Sequence, residues 1–306
     1  MMRDVLDWRE WLERSAPGEV RGVEVLRDTA RSLVARATTG DGALYLKHDR
    51  ILPPPECAVV ARLAERSPSS VPQLVAADEA LGLGLSVGAG AAGLDGAPTT
   101  AWCRVTRTLG EMQRETLVDA DEWVGIGCRD LRGAHLHEAL LEMLDAARGH
   151  VPEHVADRLD AQRPRIAEAC DDLADDGIPA GLVHQDVVPE NVVVRGDRVV
   201  VLDWSDTVVG HPFFACDRLL DACWGDATRK QAVIDAYLGA FEGVAPVERL
   251  RASFARVLSL RVLYEDLRWH HEIAAVGDDA DHVTRLRNDI AVGLTMVAGT
   301  KSGPER

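Results

Sequence analysis

The sequence predicts an α+β fold in two lobes, a small antiparallel sheet with one helix followed by a larger, mostly helical half. Three observations predict it. Short β-prone segments crowd the first 87 residues, and residues 88–98 run GAGAAGLDGAP, small and flexible with nothing to pack. Beyond that run, apolar residues recur at helical spacing around a single β island. The expected organisation is an N-terminal lobe over 1–88, a linker over 89–98, and a C-terminal lobe over 99–306.

The elements follow in order. A helix is expected over residues 4–14, then strands over Val23–Leu26, Ser32–Ala37 and Ala43–Lys47. The last two flank TTGDG, whose glycines and aspartate mark a hairpin turn. After Pro53-Pro54-Pro55, ECAVVARLAER reads as a helix with Glu56 in its first turn, ended by Pro68. Gln73–Ala77 and Leu81–Val87 complete a sheet of about five strands. In the second half, helical periodicity covers Thr100–Glu115, His137–Arg148, His154–Asp175 and three long segments after residue 212. Set among them, GLVHQD and NVVVRGDRVVVLDW form the β island, the latter two strands joined at Arg-Gly-Asp. No internal repeat and no low-complexity tract interrupts this order.

Composition removes several function classes. Thirty-four basic and fifty acidic residues leave a net charge of −16, which repels a polyanion unless the basic residues gather on one face; no such cluster stands in the sequence, so no nucleic-acid partner is expected. The six cysteines are scattered without a CxxC pair or zinc spacing, which fits a reducing, cytoplasmic setting. No stretch is long and apolar enough for a membrane span, so no membrane partner is expected either. Only three lysines occur, Lys47, Lys230 and Lys301, and Lys47 ends an apolar strand pattern.

The β island carries the chemistry. It contains His184-Gln185-Asp186-Val187-Val188-Pro189-Glu190-Asn191, and twelve residues after Asn191 comes Asp203-Trp204-Ser205. An Asp at the start of a loop, an amide five residues on, and a second Asp closing the next hairpin bring three oxygen ligands to one sheet edge. Phosphoryl transfer needs that set: a carboxylate for the attacking hydroxyl, hard oxygen ligands for magnesium, and a cation on the phosphates.

At these residues the chain resembles the aminoglycoside phosphotransferase and choline kinase family, small-molecule kinases with a bilobal protein-kinase-like fold, whose pattern is H-x-D-x-x-x-x-N, a hairpin, and D-[WF]. The resemblance spans roughly residues 20–225. It implies that Asp186 is the catalytic base, that Asn191 and Asp203 are magnesium ligands, and that His184 supports the loop. An Asp such as Asp217, in GHPFFACDRLL, braces the catalytic loop in that family. Lys47 matches the phosphate-binding lysine and Glu56 its pairing glutamate; because their spacing is nine residues, Glu65 stands as a reserve. The turn after the first strand, Arg27 to Ser32, lacks the glycines such a loop uses over phosphates, and the hydroxyls of Thr29 and Ser32 are candidates to replace them. Gln185 stands where many relatives have glycine.

The function implied is transfer of the γ-phosphoryl group of ATP or GTP, with magnesium, to a hydroxyl of a small molecule. That acceptor is an aminoglycoside or other antibiotic, or a metabolite such as an amino alcohol or a sugar. The protein is expected to be a monomer or weak homodimer. On the helix containing LRVLYEDLRWHHE, Glu265, Trp269 and Glu272 fall at i, i+4 and i+7, an aromatic ring between two carboxylates that could cradle an amine or a sugar face. Two other classes compete: a metal-dependent hydrolase using His184, Asp186, Asp203 and His211, and a catalytically silent nucleotide-binding module.

Overall fold

The computed structural model describes residues 8–51, 55–91, 93–223, 225–276 and 280–299. Residues 4–7 of the first expected helix, Pro53, Pro54 and Lys301 lie outside them.

The chain opens with α1 (Trp8–Ser15) and the strands β1 (Gly22–Asp28), β2 (Ser32–Thr39) and β3 (Gly42–Asp49). Helix α2 (Glu56–Arg66) and strands β4 (Leu74–Asp78) and β5 (Leu83–Val87) follow. The five strands form one antiparallel sheet in the order β1-β2-β3-β5-β4. Alternation of side chains along a strand gives the sheet two distinct faces. Leu33, Ala35, Ala37, Leu44 and Leu46 are buried in a small core with Trp11 and Leu12 of α1. Tyr45 and Lys47, one register position off, take the opposite face, where Lys47 lies between Val34 and Gly84 of the flanking strands. A Cβ on Gly84 would come within 3.1 Å of the Cys57 Cβ, so its glycine lets α2 lie close to this face. Val59, Val60 and Leu63 of α2 belong to the main core shared with the helical half, so this helix couples the two.

The helical part begins with α3 (Thr99–Thr116) and α4 (Ala120–Gly125), then β6 (Arg129–Asp130), α5 (Ala134–Ala147) and α6 (Glu153–Ala174). Strands β7 (Gly181–His184), β8 (Val192–Arg195), β9 (Arg198–Val201) and β10 (Thr207–Gly210) come next. Helices α7 (Asp217–Asp221), α8 (Ala227–Gly239), α9 (Val247–Val276) and α10 (Ala280–Gly299) close the chain. Gly110 of α3 faces Ala240, where a Cβ would stand only 2.7 Å from the Ala240 Cβ, and this permits the close α3–α8 approach.

The β island is two sheets. β8 and β9 pair as the expected hairpin, with Gly196 at φ +58° in its turn. β7 pairs instead with β10, and β10 runs parallel to β6. β6, β10, α4 and α7 were not expected from the sequence, because each has only two to six residues, too few for a period to register.

Candidate active site

The β8–β9 hairpin sets the geometry. Asn191 immediately precedes β8 and Asp203 stands two residues beyond β9, so pairing Val192 with Val201 brings both to the same end, where the Leu202 N–H donates to the Asn191 carbonyl at 2.8 Å. Asp203 adopts φ 61° and ψ 62°, the sole left-handed non-glycine among the described residues, a conformation aspartate tolerates better than most.

His184 ties the two loops together. It is fully buried, its Nδ1 accepts from the Asp186 N–H at 3.1 Å, and its Nε2 lies 2.9 Å from the Leu202 carbonyl. Burial pushes its pKa down, so the ring is neutral; with Nδ1 accepting, the proton sits on Nε2 and donates to Leu202. The loop from Asp186 to Asn191 is closed by the Asn191 Nδ2, which donates to the Asp186 carbonyl at 2.9 Å. That commits the amide nitrogen and leaves Oδ1 as the atom of Asn191 that could hold a metal.

Lys47 reaches Asp203 and lies 2.6 Å from Glu56 Oε2 and 3.1 Å from Ser205 Oγ. Burial opposes its charge, but Glu56, Asp203 and Asp49 outweigh it and raise the pKa, so the ammonium is permanent. The same balance acts on Asp203: burial favours the neutral acid, Lys47 overrides it, and the carboxyl is held below the ordinary range. Glu56 also accepts from the Trp204 N–H at 3.0 Å through Oε1, so one carboxylate fixes both the lysine and the loop carrying Asp203. Asp49 is the unforeseen member. Its Oδ2 accepts from the Glu56 N–H at 2.7 Å, supplying the anion at the α2 N-terminus that Pro55 cannot. Burial and the nearby acids, only partly offset by Lys47, push Asp49 up to about 6. Its position two residues after Lys47 in LYLKHD was the available signal.

Two cavities meet here. One, of about 350 Å³, has apolar walls from Leu26, Val34, Tyr45, Val60 and Leu74 and polar groups from Lys47, Glu56, Asn191 and Asp203. The other, of about 600 Å³, contains Asp186, Asp203, Ser205, Asp206 and Trp269. They share Asp203 and Arg27, whose guanidinium lies 3.7 Å from Asp203; Asp186 faces the second alone.

The remaining sequence candidates fall as follows. Thr29 and Ser32 line the second cavity but serve their own turn: the Ser32 N–H donates to Thr29 Oγ1 at 3.1 Å, and Ser32 Oγ accepts from Arg27 at 3.3 Å. The turn is anchored by Arg31, which pairs with Asp206 and, at 3.2 Å, with Glu272. Trp269 and Glu272 line the second cavity, with the Arg268 guanidinium over the Trp269 ring at 3.9 Å. Glu265 lies one pair back, bonded to Arg218. Asp217 pairs with Arg261 at 3.3 Å, and Asp186 is braced by Arg268 at 3.2 Å and Arg218 at 3.6 Å. Glu65 is on the exposed face of α2. Arg31, Arg218, Arg268 and Asp206 were missed by sequence reasoning; Arg268 sits one position off the chosen helix stripe.

A hydrolase metal centre does not assemble. His211 faces Asp176 at 3.0 Å and Ser253 at 2.9 Å, so its Nε2 is engaged there, and the nitrogens of His184 are committed as above. Among the described residues, no group of three or more His, Cys, Asp or Glu side chains could hold a metal. One carboxylate and one amide oxygen, Asp203 and Asn191, instead fit magnesium, whose octahedron is otherwise filled by phosphates and water.

The model of the phosphotransferase enzyme family matches residues 22–250. No curated protein matches the sequence. Among solved structures, the chain is similar to the macrolide 2'-phosphotransferase MphH from Brachybacterium faecium, with 18% identity, 97% of each chain covered and a TM-score of 0.61. It is also similar to a choline/ethanolamine kinase family protein from Mesorhizobium loti, with 19% identity, 96% of this chain and 95% of that one covered, and a TM-score of 0.64. A third, the aminoglycoside phosphotransferase APH(4)-Ia solved with ADP and hygromycin B, shares 16% identity over 96% of this chain and 99% of that one, with a TM-score of 0.52. At such identities the likeness establishes the fold, which is the protein-kinase-like one.

Proposed function

Because the chain belongs to the phosphotransferase enzyme family, we propose that it moves the γ-phosphoryl group of ATP or GTP onto a hydroxyl of a small molecule, with Asp186 as base. The nucleotide occupies the smaller cavity, its base against Val34, Tyr45 and Leu74, its phosphates toward Lys47. Asn191 and Asp203 would hold magnesium, which neutralises charge on the phosphates. The acceptor occupies the larger cavity. Asp186 takes the hydroxyl proton while the acceptor oxygen bonds to the γ-phosphorus, and the bond from that phosphorus to the bridging oxygen breaks to leave ADP or GDP. Residues 1–88 and 99–306 act as the lobes closing on this junction.

The observation that carries the reading is the division of labour between the cavities. The proposed metal ligand Asp203 faces both, the base faces only the acceptor side, and Lys47 faces only the nucleotide side. An in-line transfer needs that order. All six cysteines are free and five are buried, in keeping with a cytoplasmic protein; we take it to act as a monomer or weak homodimer. Among the described residues no helix is long and apolar enough to cross a membrane.

Calorimetry tests the reading. ATP or GTP should bind far more tightly with magnesium than with EDTA, and a lack of magnesium-dependent binding of either would remove it.

A further inference from the structure

The larger cavity continues into a third of about 370 Å³, which shares Arg31, Ser205, Asp206, Arg268 and Glu272 with it and adds Arg129 of β6 and His271 of α9. An acceptor bearing an ammonium would need a free carboxylate here. Each acid around these two cavities already has a partner: Asp206 is shared by Arg31 and Arg268, Glu272 is held by Arg31, Glu265 by Arg218, Asp186 by Arg268 and Arg218, Asp203 by Lys47, Asp28 by Arg50, and Asp49 by the Glu56 N–H and, at 3.9 Å, by Lys47. Binding a cation would require breaking one of these pairs and leaving a guanidinium without its partner, which is costly where Arg268 is only 6% exposed.

The unmet capacity is of the other kind. Arg268 makes both its ion pairs through Nη1, and its Nε is buried without a hydrogen-bond partner. Arg129 lines the same cavity; it is exposed and forms no ion pair within 4.0 Å among the described residues, so an anion there displaces only solvent from its guanidinium. His271, also lining it, is held neutral because burial, with Arg129 and His270 nearby, pushes its pKa down to about 3. It therefore offers no competing charge. Guanidinium N–H groups left over beside fully engaged carboxylates are what an oxyanion satisfies, and a carboxylate or phosphate matches the planar fork of arginine in two bonds at once.

We propose that the acceptor is a hydroxylated anion, its carboxylate or phosphate group seated between Arg129 and Arg268 and its hydroxyl presented to Asp186. The proposal rests on the phosphotransferase reading. An exclusively cationic acceptor, such as an amino alcohol or a polyamine antibiotic, does not fit these surroundings.

The test uses the full chain saturated with magnesium and a non-hydrolysable ATP or GTP analogue, whichever binds, so that phosphate sites on the nucleotide side are filled. Inorganic phosphate, malonate and tetramethylammonium are then titrated by calorimetry. At least one of the two anions should bind and tetramethylammonium should not; Arg129→Gln and Arg268→Gln should each weaken anion binding roughly tenfold or more, the worth of a lost charge-assisted pair. Arg104→Gln, which removes a guanidinium paired with Asp197 at the β8–β9 turn, should leave it unchanged. Preference for phosphate assigns a phosphate ester, and preference for malonate a carboxylic acid. Binding of tetramethylammonium in place of the anions, binding of no anion, or anion binding insensitive to both arginine variants would overturn the proposal. If neither nucleotide analogue binds the wild-type chain, the phosphotransferase reading falls instead, and the proposal with it.

Discussion

Replacing Glu56 with glutamine removes one charge and nearly no volume, and the structure sets the size of the effect. Glu56 Oε2 stands 2.6 Å from Lys47 Nζ with side chains 11% and 18% exposed, too dry for the small value of a surface pair. Yet Lys47 keeps Asp203, so the full penalty of an orphaned buried charge does not apply either. What is lost is one charge-assisted hydrogen bond, worth about 1.5–3 kcal/mol, while the glutamine carbonyl can still accept from the Trp204 N–H. That corresponds to a loss of roughly 10- to 150-fold in the steps that use Lys47. Freed from Glu56, the ammonium leans mainly on Asp203, with Asp49 farther off at 3.9 Å, and competes with magnesium, so the loss should shrink as magnesium is raised. The assay is calorimetric affinity for the magnesium–nucleotide complex across a magnesium series. Glu65→Gln, on the exposed face of the same helix, is the control and should bind as wild type. The reasoning is refuted if Glu56→Gln also binds as wild type at every magnesium concentration, or if Glu65→Gln shows the same loss.

Burial, with Glu265 and Asp289 nearby, pushes Asp266 up to about 8 from an ordinary 3.8, so the folded chain keeps a proton that the unfolded chain releases. The stability this contributes is complete below pH 3.8 and drains as pH rises to about 8; Asp266→Asn should therefore gain in Tm relative to wild type from roughly pH 5 to 8 and then hold level, and parallel curves would contradict this. Trp269→Ala removes the ring under the Arg268 guanidinium at the larger cavity, the proposed acceptor site, and should raise the acceptor's KM much more than the nucleotide's. Equal changes in the two constants would place the acceptor elsewhere.

Much of this was legible in the sequence because it depends on local pattern. Period-2 alternation in ALYLK put Leu44 and Leu46 on one face and Lys47 on the other, and the nine-residue step to Glu56 proved short enough for direct contact at 2.6 Å. The spacing from Asn191 to Asp203 measures the β8–β9 hairpin, so their adjacency follows from its closure. The arginine network was not legible. Arg31, Arg218 and Arg268 lie in a turn, a short helix and a long one, with no shared period, and only the tertiary fold brings them to Asp186 and Asp206. For the same reason the spacing of Glu265, Trp269 and Glu272 on one helix was legible but the pairing of their charges was not, since the partners of both carboxylates come from distant segments.

The central claim separates two aspartates, Asp186 acting on the acceptor and Asp203 on the metal. It is tested most directly by measuring nucleotide affinity against magnesium, with turnover on the best acceptor in a panel of hydroxylated acids, sugars and amines, for Asp186→Asn and Asp203→Asn. Asp186→Asn should lose roughly two orders of magnitude or more in transfer while binding nucleotide as wild type does. Asp203→Asn should lose transfer and magnesium-dependent affinity together, with partial recovery at high magnesium. Near-normal turnover by Asp186→Asn, or wild-type binding of the magnesium nucleotide by Asp203→Asn, would contradict the account.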